Sequence, residues 1–145
     1  MKIAICGSLN FTYKIKKISD ELKSLGFDVF IPISSEKILR GEFSLDEIKK
    51  EKENGRIVKK FIKYDSIRAY YKIIKKSDVI LVANFDKNNI KNYIGGASFL
   101  EMGFAHILNK KIFLLNDIPR MSYIDEIKAM QPIVLNGDLT KITKK

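Results

Sequence analysis

Apolar residues fall along this chain in two alternating rhythms, one of short unbroken runs and one of steps of three and four. Lys2-Ile3-Ala4-Ile5-Cys6 is an apolar strand that breaks at Gly7-Ser8. Between residues 11 and 25, Ile15, Ile18, Leu22 and Leu25 recur at helical spacing, and Gly26 stops the helix. Val29-Phe30-Ile31 reads as a second strand closed by Pro32. Residues 34–76 are the most charged part. Within them Ser44-Leu45-Asp46-Glu47 has the form of a helix start, with acids in the first turn. Gly55 separates that helix from a longer one running through Ile57, Phe61, Ile62, Ile67, Tyr71 and Ile74.

The second half repeats the rhythm. Val79-Ile80-Leu81-Val82-Ala83 is continuously apolar, as a strand covered on both faces must be. A polar loop follows over residues 84–93, then a helix that ends near Asn109. Ile112-Phe113-Leu114-Leu115 predicts a further buried strand, residues 123–130 a short helix, and Pro132-Ile133-Val134-Leu135 a last strand. Asn136-Gly137-Asp138 reads as a turn, and a basic tail closes the chain. Five strands alternating with helices, without a hairpin signal between them, predict a parallel, doubly wound α/β/α sandwich of strand order 2-1-3-4-5. A length of 145 residues, 46% of them hydrophobic, fits a single domain over 1–145.

Charge changes this picture little. The formal net charge of +10 invites a nucleic-acid partner, but only four of the 27 basic residues are arginine. Arginine is the side chain suited to bidentate phosphate and base recognition, and the lysines are spread over every candidate helix. A positive field that draws in small anionic ligands is the milder reading. No run approaches the roughly 20 apolar residues of a membrane span. The N-terminal run turns to glycine too early for a signal peptide, so a cytoplasmic location is expected. Cys6 and His106 are single residues of their kinds, which leaves no disulfide and no zinc set; neither metal nor cofactor is expected.

The candidate chemistry centres on Gly95-Gly96-Ala97-Ser98-Phe99-Leu100-Glu101-Met102-Gly103-Phe104-Ala105. One carboxylate stands in a run that is otherwise apolar or small. An unpaired buried acid costs several kcal/mol, so Glu101 is either a working group or a residue on the solvated stripe of its helix. In an open parallel sheet ligands bind beyond the carboxyl ends of the strands. The segments converging there are Cys6-Gly7-Ser8 after strand one, Asn84-Phe85-Asp86 after strand three, and Asn116-Asp117 after strand four. Gly7 and Ser8 offer an anion backbone N–H groups and a hydroxyl, or form only a tight turn. Amide and carboxylate groups without His, Cys pairs or metal suit chemistry at a sugar carbon. His106, five residues past Glu101, reads as structural, as do Tyr70 and Tyr71; Phe85 and Tyr93 either stack on a base or anchor the loop.

Cys6-Gly7-Ser8, Ser77-Asp78-Val79-Ile80-Leu81-Val82, and Gly95-Gly96 with Glu101-Met102-Gly103-Phe104-Ala105 resemble the nucleoside 2-deoxyribosyltransferase superfamily, which includes the deoxynucleoside 5'-monophosphate N-glycosidases. The likeness spans nearly the whole chain in element order. It implies a flavodoxin-like five-stranded sheet, a small-molecule nucleoside or nucleotide substrate, and a homodimer or larger homo-oligomer. It also implies Glu101 as nucleophile, with Cys6, Gly7, Ser8, Asn84, Gly95, Gly96, Ser98 and Asn116 around the substrate. The family's second acid, expected about eight residues before Asp78, is replaced by Tyr70, which leaves Asp86 or Asp65 as possible partners. The spacing from Gly96 to Glu101 is longer by one than the commonest family version. A fainter likeness is to the cytokinin-activating nucleotide phosphoribohydrolases, whose proline, third glycine and threonine are absent here. A nucleotide- or sugar-sensing module without turnover is the non-enzyme alternative.

Overall fold

The computed structural model describes residues 1–143; the last two lysines of the basic tail lie outside the described residues. Five strands, β1 (Lys2–Cys6), β2 (Asp28–Phe30), β3 (Val79–Val82), β4 (Lys111–Leu114) and β5 (Ile133–Val134), form one sheet of order β2-β1-β3-β4-β5. Every pairing is parallel. The fold is therefore the expected flavodoxin-like α/β sandwich. Among the described residues seven α-helices accompany it: α1 (Thr12–Ser24), α2 (Ile33–Leu39), α3 (Leu45–Glu53), α4 (Ile57–Tyr64), α5 (Ser66–Lys76), α6 (Gly96–Ile107) and α7 (Ile124–Ala129).

The two-residue alternation of the strands sorts their side chains into two cores. Ile3 and Ile5 of β1, Val79 and Leu81 of β3, and Phe113 of β4 point to one face, where Ile15, Ile18 and Leu22 of α1 meet them. Ala4, Cys6, Ile80, Val82, Ile112 and Leu114 point to the other, against Tyr70 and Ile74 of α5 and Met102 and Ala105 of α6. Burying an isoleucine or leucine fully is worth about 1.5–3 kcal/mol, so these central strands dominate the stability of the domain. The register Cys6↔Val82 sets the thiol on the α5–α6 face. That choice of face determines the site.

The charged middle departs from expectation in two places. The single long helix expected through Ile57 and Ile74 is two helices, because Asp65 adopts a left-handed conformation (φ 46°, ψ 51°) between α4 and α5. Aspartate tolerates that region better than most residues, and Arg68 closes an ion pair on its carboxylate. A further helix, α2, occupies residues the pattern leaves open, started by Pro32. The Ser44 cap is as expected, its hydroxyl accepting from the Glu47 N–H at 3.4 Å. Leu9, Ile38, Ile48 and Ile57 build a small separate core beneath α2, α3 and α4. The loop after β3 also contains a tight reversal. Asn88 and Asn89 both have positive φ, and Lys87 and Ile90 exchange backbone hydrogen bonds of 2.9 and 3.0 Å across them.

Candidate active site

The strand-to-helix turn after β1 is held tightly. A Cβ on Gly7 would stand 2.9 Å from Ile15 Cδ1 and 3.4 Å from Ala83, so a side chain enters here only if the buried Ile15 shifts. Ser8 then caps a short 3₁₀ turn, its hydroxyl accepting from the Asn10 N–H. Across the sheet edge, Gly95 caps the start of α6, and Gly96, Ala97 and Ser98 form its first turn. Glu101 follows one turn later.

These elements enclose a cavity of about 500 Å³ lined by Gly7, Ser8, Gly95, Gly96, Ser98 and Glu101 together with residues of α2 to α5. Six of the residues read from sequence thus share one space. Cys6 lies beneath it, fully buried, with its thiol beside the Glu101 carboxyl. The rest of the wall is largely apolar and aromatic: Ile33, Phe61, Ile67, Tyr93, Leu100 and Phe104.

Glu101 is half-buried and faces this wall. Burial raises its carboxyl to about 8, with the neighbouring Cys6 thiol acting in the opposite direction. Desolvation is the dominant influence on this carboxyl. The acid is protonated at neutral pH and ionises within reach of it. Burial, followed by the charge and hydrogen bonding of Glu101, holds the Cys6 thiol well above its ordinary value, so the thiol is a donor and not a thiolate. Tyr70, at the position of the absent aspartate, is buried and donates its hydroxyl to the Ile5 carbonyl. Burial, then the neighbouring Cys6, Glu101 and Glu36, keep its phenol far above the usual range. Tyr70 is a neutral wall residue.

The other candidates lie elsewhere. Asn84 and Asn116 do not line the cavity. The Asn84 amide donates to the Asn116 and Asp117 carbonyls at 3.1 and 3.0 Å, its Oδ1 accepts from the Asn116 N–H at 2.9 Å, and the Asn116 amide donates back to the Asn84 carbonyl at 3.0 Å. They lock the ends of β3 and β4 together. Asp86 is exposed and accepts from the Asn92 N–H at 2.9 Å, and Asp65 is exposed and ion-paired. Neither carboxylate reaches Glu101's cavity, so the expected substitution of the missing acid by one of them is corrected. Phe85 packs edge-on against Phe11 and anchors its loop, whereas Tyr93 faces the cavity. Tyr71 packs edge-on against Phe104, and His106 is exposed at the end of α6.

Two residues escaped the sequence reading. Lys52 of α3 lines the cavity, and Lys87 places its Nζ 3.0 Å from the Ser8 hydroxyl. Among 27 basic residues neither carried a distinguishing signal except the Asn88-Asn89 pair that follows Lys87. Comparison with protein-family models, with curated proteins and with solved structures gives no match. No group of three or more potential metal-ligating side chains occurs among the described residues.

Proposed function

We propose that the chain cleaves or transfers at the N-glycosidic bond of a nucleoside or nucleoside 5'-monophosphate, with Glu101 as nucleophile. The observation that carries this reading is one carboxyl, raised to about 8, in an otherwise apolar and aromatic cavity of about 500 Å³. An aromatic wall including Tyr93 suits the faces of a base, and glycine N–H groups at the start of α6 suit sugar hydroxyls. In the reaction a Glu101 oxygen bonds to the anomeric carbon as the C–N bond breaks, and the bonding pair leaves with the base. No second carboxylate lines the cavity, so the departing base takes its proton from water. Water, or a second base in transfer, then bonds to the anomeric carbon, loses a proton and frees the carboxylate. The Cys6 thiol steadies the ionised carboxylate between turnovers.

A second reading is a nucleotide-binding module without turnover. It is favoured by Tyr70 in place of an acid and by a Glu101 protonated at neutral pH. Free-base release from a panel of nucleosides and their 5'-monophosphates separates the two. Release from any member supports the glycosidic reading; binding without release over long incubation removes it.

The same reading includes self-association. Ile107, Ile62 and Ile67 are 79%, 74% and 56% exposed on α6, α4 and α5, and Leu100 beside the cavity is 42% exposed. A second copy of the chain is the simplest cover for so much apolar helix surface.

A further inference from the structure

We propose that the mouth of this cavity is a phosphoryl subsite, in which Lys52 of α3, Lys87 of the β3–α6 loop and the Ser8 hydroxyl hold a dianionic phosphate group of the ligand. The subsite rests on the reading of the cavity as a ligand site, and it does not depend on turnover.

The first observation is a cluster of like charge. Lys52 lines the same cavity as Ser8, whose hydroxyl meets Lys87 Nζ at 3.0 Å, and Lys52 and Lys49 of α3 both act on Lys87 as neighbouring positive charges. None of the three takes part in the ion pairs of the described residues, although Glu51, between Lys49 and Lys52 in sequence, pairs with Lys60 at 2.8 Å. Cations brought together without a carboxylate repel, and an anion between them reverses the sign of every pairwise interaction. Burial first, then Lys52 and Lys49, lower Lys87 to about 8, a strain that a bound dianion relieves.

The second observation is how the lysines are held. Lys87 is fixed by the turn at Asn88-Asn89, donates to Ser8 Oγ at 3.0 Å and lies 5.2 Å from the centre of the Tyr93 ring. Ser8 sits on the turn that Gly7 pins against α1 and β3. Lys52 comes from α3, one of four helices between β2 and β3 where a parallel crossover needs only one. The additional helices thus deliver cations to the end of β1. Tetrahedral oxygens with a charge near −2 match two or three ammonium donors and a hydroxyl, whereas a carboxylate offers one charge and two oxygens.

The test is calorimetric titration of the full chain with inorganic phosphate, and with a deoxynucleoside and its 5'-monophosphate. Wild type is expected to bind phosphate and to prefer the monophosphate over the nucleoside. Lys52→Gln and Lys87→Gln should each weaken both anions by roughly ten- to hundredfold, the range for a charge-assisted hydrogen bond. Lys72→Gln, an exposed position on α5, should leave binding unchanged, and thermal melts check that all three variants fold. Equal phosphate affinity in wild type, Lys52→Gln and Lys87→Gln overturns the subsite, as does no phosphate binding at millimolar concentration. Phosphate binding without base release from any monophosphate keeps the subsite and removes the glycosidic reading. Base release with the same kcat/KM from a nucleoside and its 5'-monophosphate does the reverse.

Discussion

Two polar side chains sit beside the carboxyl ends of the central strands, and the fold treats them in opposite ways. Asn84, fully buried after β3, has its amide nitrogen and oxygen engaged by Asn116 and Asp117. Glu101, beside the end of β1, has the Cys6 thiol and an open cavity. A buried polar group whose valences are filled by its own chain fastens strands; one left with spare capacity is available to something that arrives. Residue type alone did not separate them, since the sequence reading put both at the site, Glu101 as nucleophile and Asn84 as a substrate contact.

The largest expected effect comes from breaking the open side of this comparison. Glu101→Gln should lower base release by about 10²–10³-fold, more if the glycosyl ester is obligatory, because transition-state charge stabilisation of roughly 3–4 kcal/mol is lost. The same variant should melt higher. With the folded carboxyl raised to about 8, the unfolded chain loses its proton first, so Glu101 subtracts stability progressively from the ordinary glutamate range up to about pH 8. The gain in Glu101→Gln is on the order of a few kcal/mol at pH 8–9 and small near pH 5, read at about 2–4 °C per kcal/mol. An unchanged melting temperature at both pH values would show that the carboxyl is not strained.

The closed side should respond in stability and not in site chemistry. Asn84→Ala leaves the Asn116 N–H and two carbonyls without their partner, a loss of roughly 2–4 kcal/mol. Melting should fall accordingly, while phosphate affinity at Ser8, Lys52 and Lys87 stays within about twofold at temperatures where the variant is folded. A selective loss of phosphate affinity would join the two regions that the hydrogen bonds keep apart.

A subtler effect follows from pH. On the proposed mechanism turnover needs Glu101 ionised, above about pH 8, and on the proposed subsite phosphoryl binding needs Lys87 charged, below about pH 8. At the crossing roughly a quarter of free molecules hold both forms, so kcat/KM for a monophosphate should be a narrow bell centred near pH 8. The groups facing Lys87 are Lys52 and Lys49 of α3, with Ser8 and Tyr93. A bound dianion raises Lys87 again, so the alkaline limb of kcat should move to higher pH. A broad plateau in kcat/KM from pH 6 to 9 would reject this pairing. The smallest effect concerns assembly. Light scattering should show a dimer or larger species, and Ile107→Glu should shift it toward monomer with little change in melting of the monomer.

The sheet was legible because its strands are short apolar runs whose meaning does not depend on neighbours. β1, β3 and β4 are within a residue of their expected positions, and the order follows from the absence of hairpins between strands. Glu101 with Gly7, Ser8, Gly95, Gly96 and Ser98 was legible because chain order brings them to one end of the sheet. The α4–α5 break was not, since helical periodicity continues across Asp65 and only its backbone conformation interrupts it. Lys52 and Lys87 were not legible either. Their proximity is created by the packing of α3 over the β1 turn, a contact 35 residues long in sequence that no local pattern records.

The clearance at Gly7 has a consequence for how this molecule can change. The floor of the cavity is close-fitting: a methyl added at position 7 crowds Ile15 Cδ1 and touches Ala83, both residues of the main core. The rim is different, because Lys52 and Phe61 belong to helices that pack on the smaller satellite core and the Ile67 side chain is exposed. Side-chain replacement should therefore be tolerated more readily at the rim than at the β1 turn. The rim can thus be exchanged while the floor and the sheet beneath it are kept.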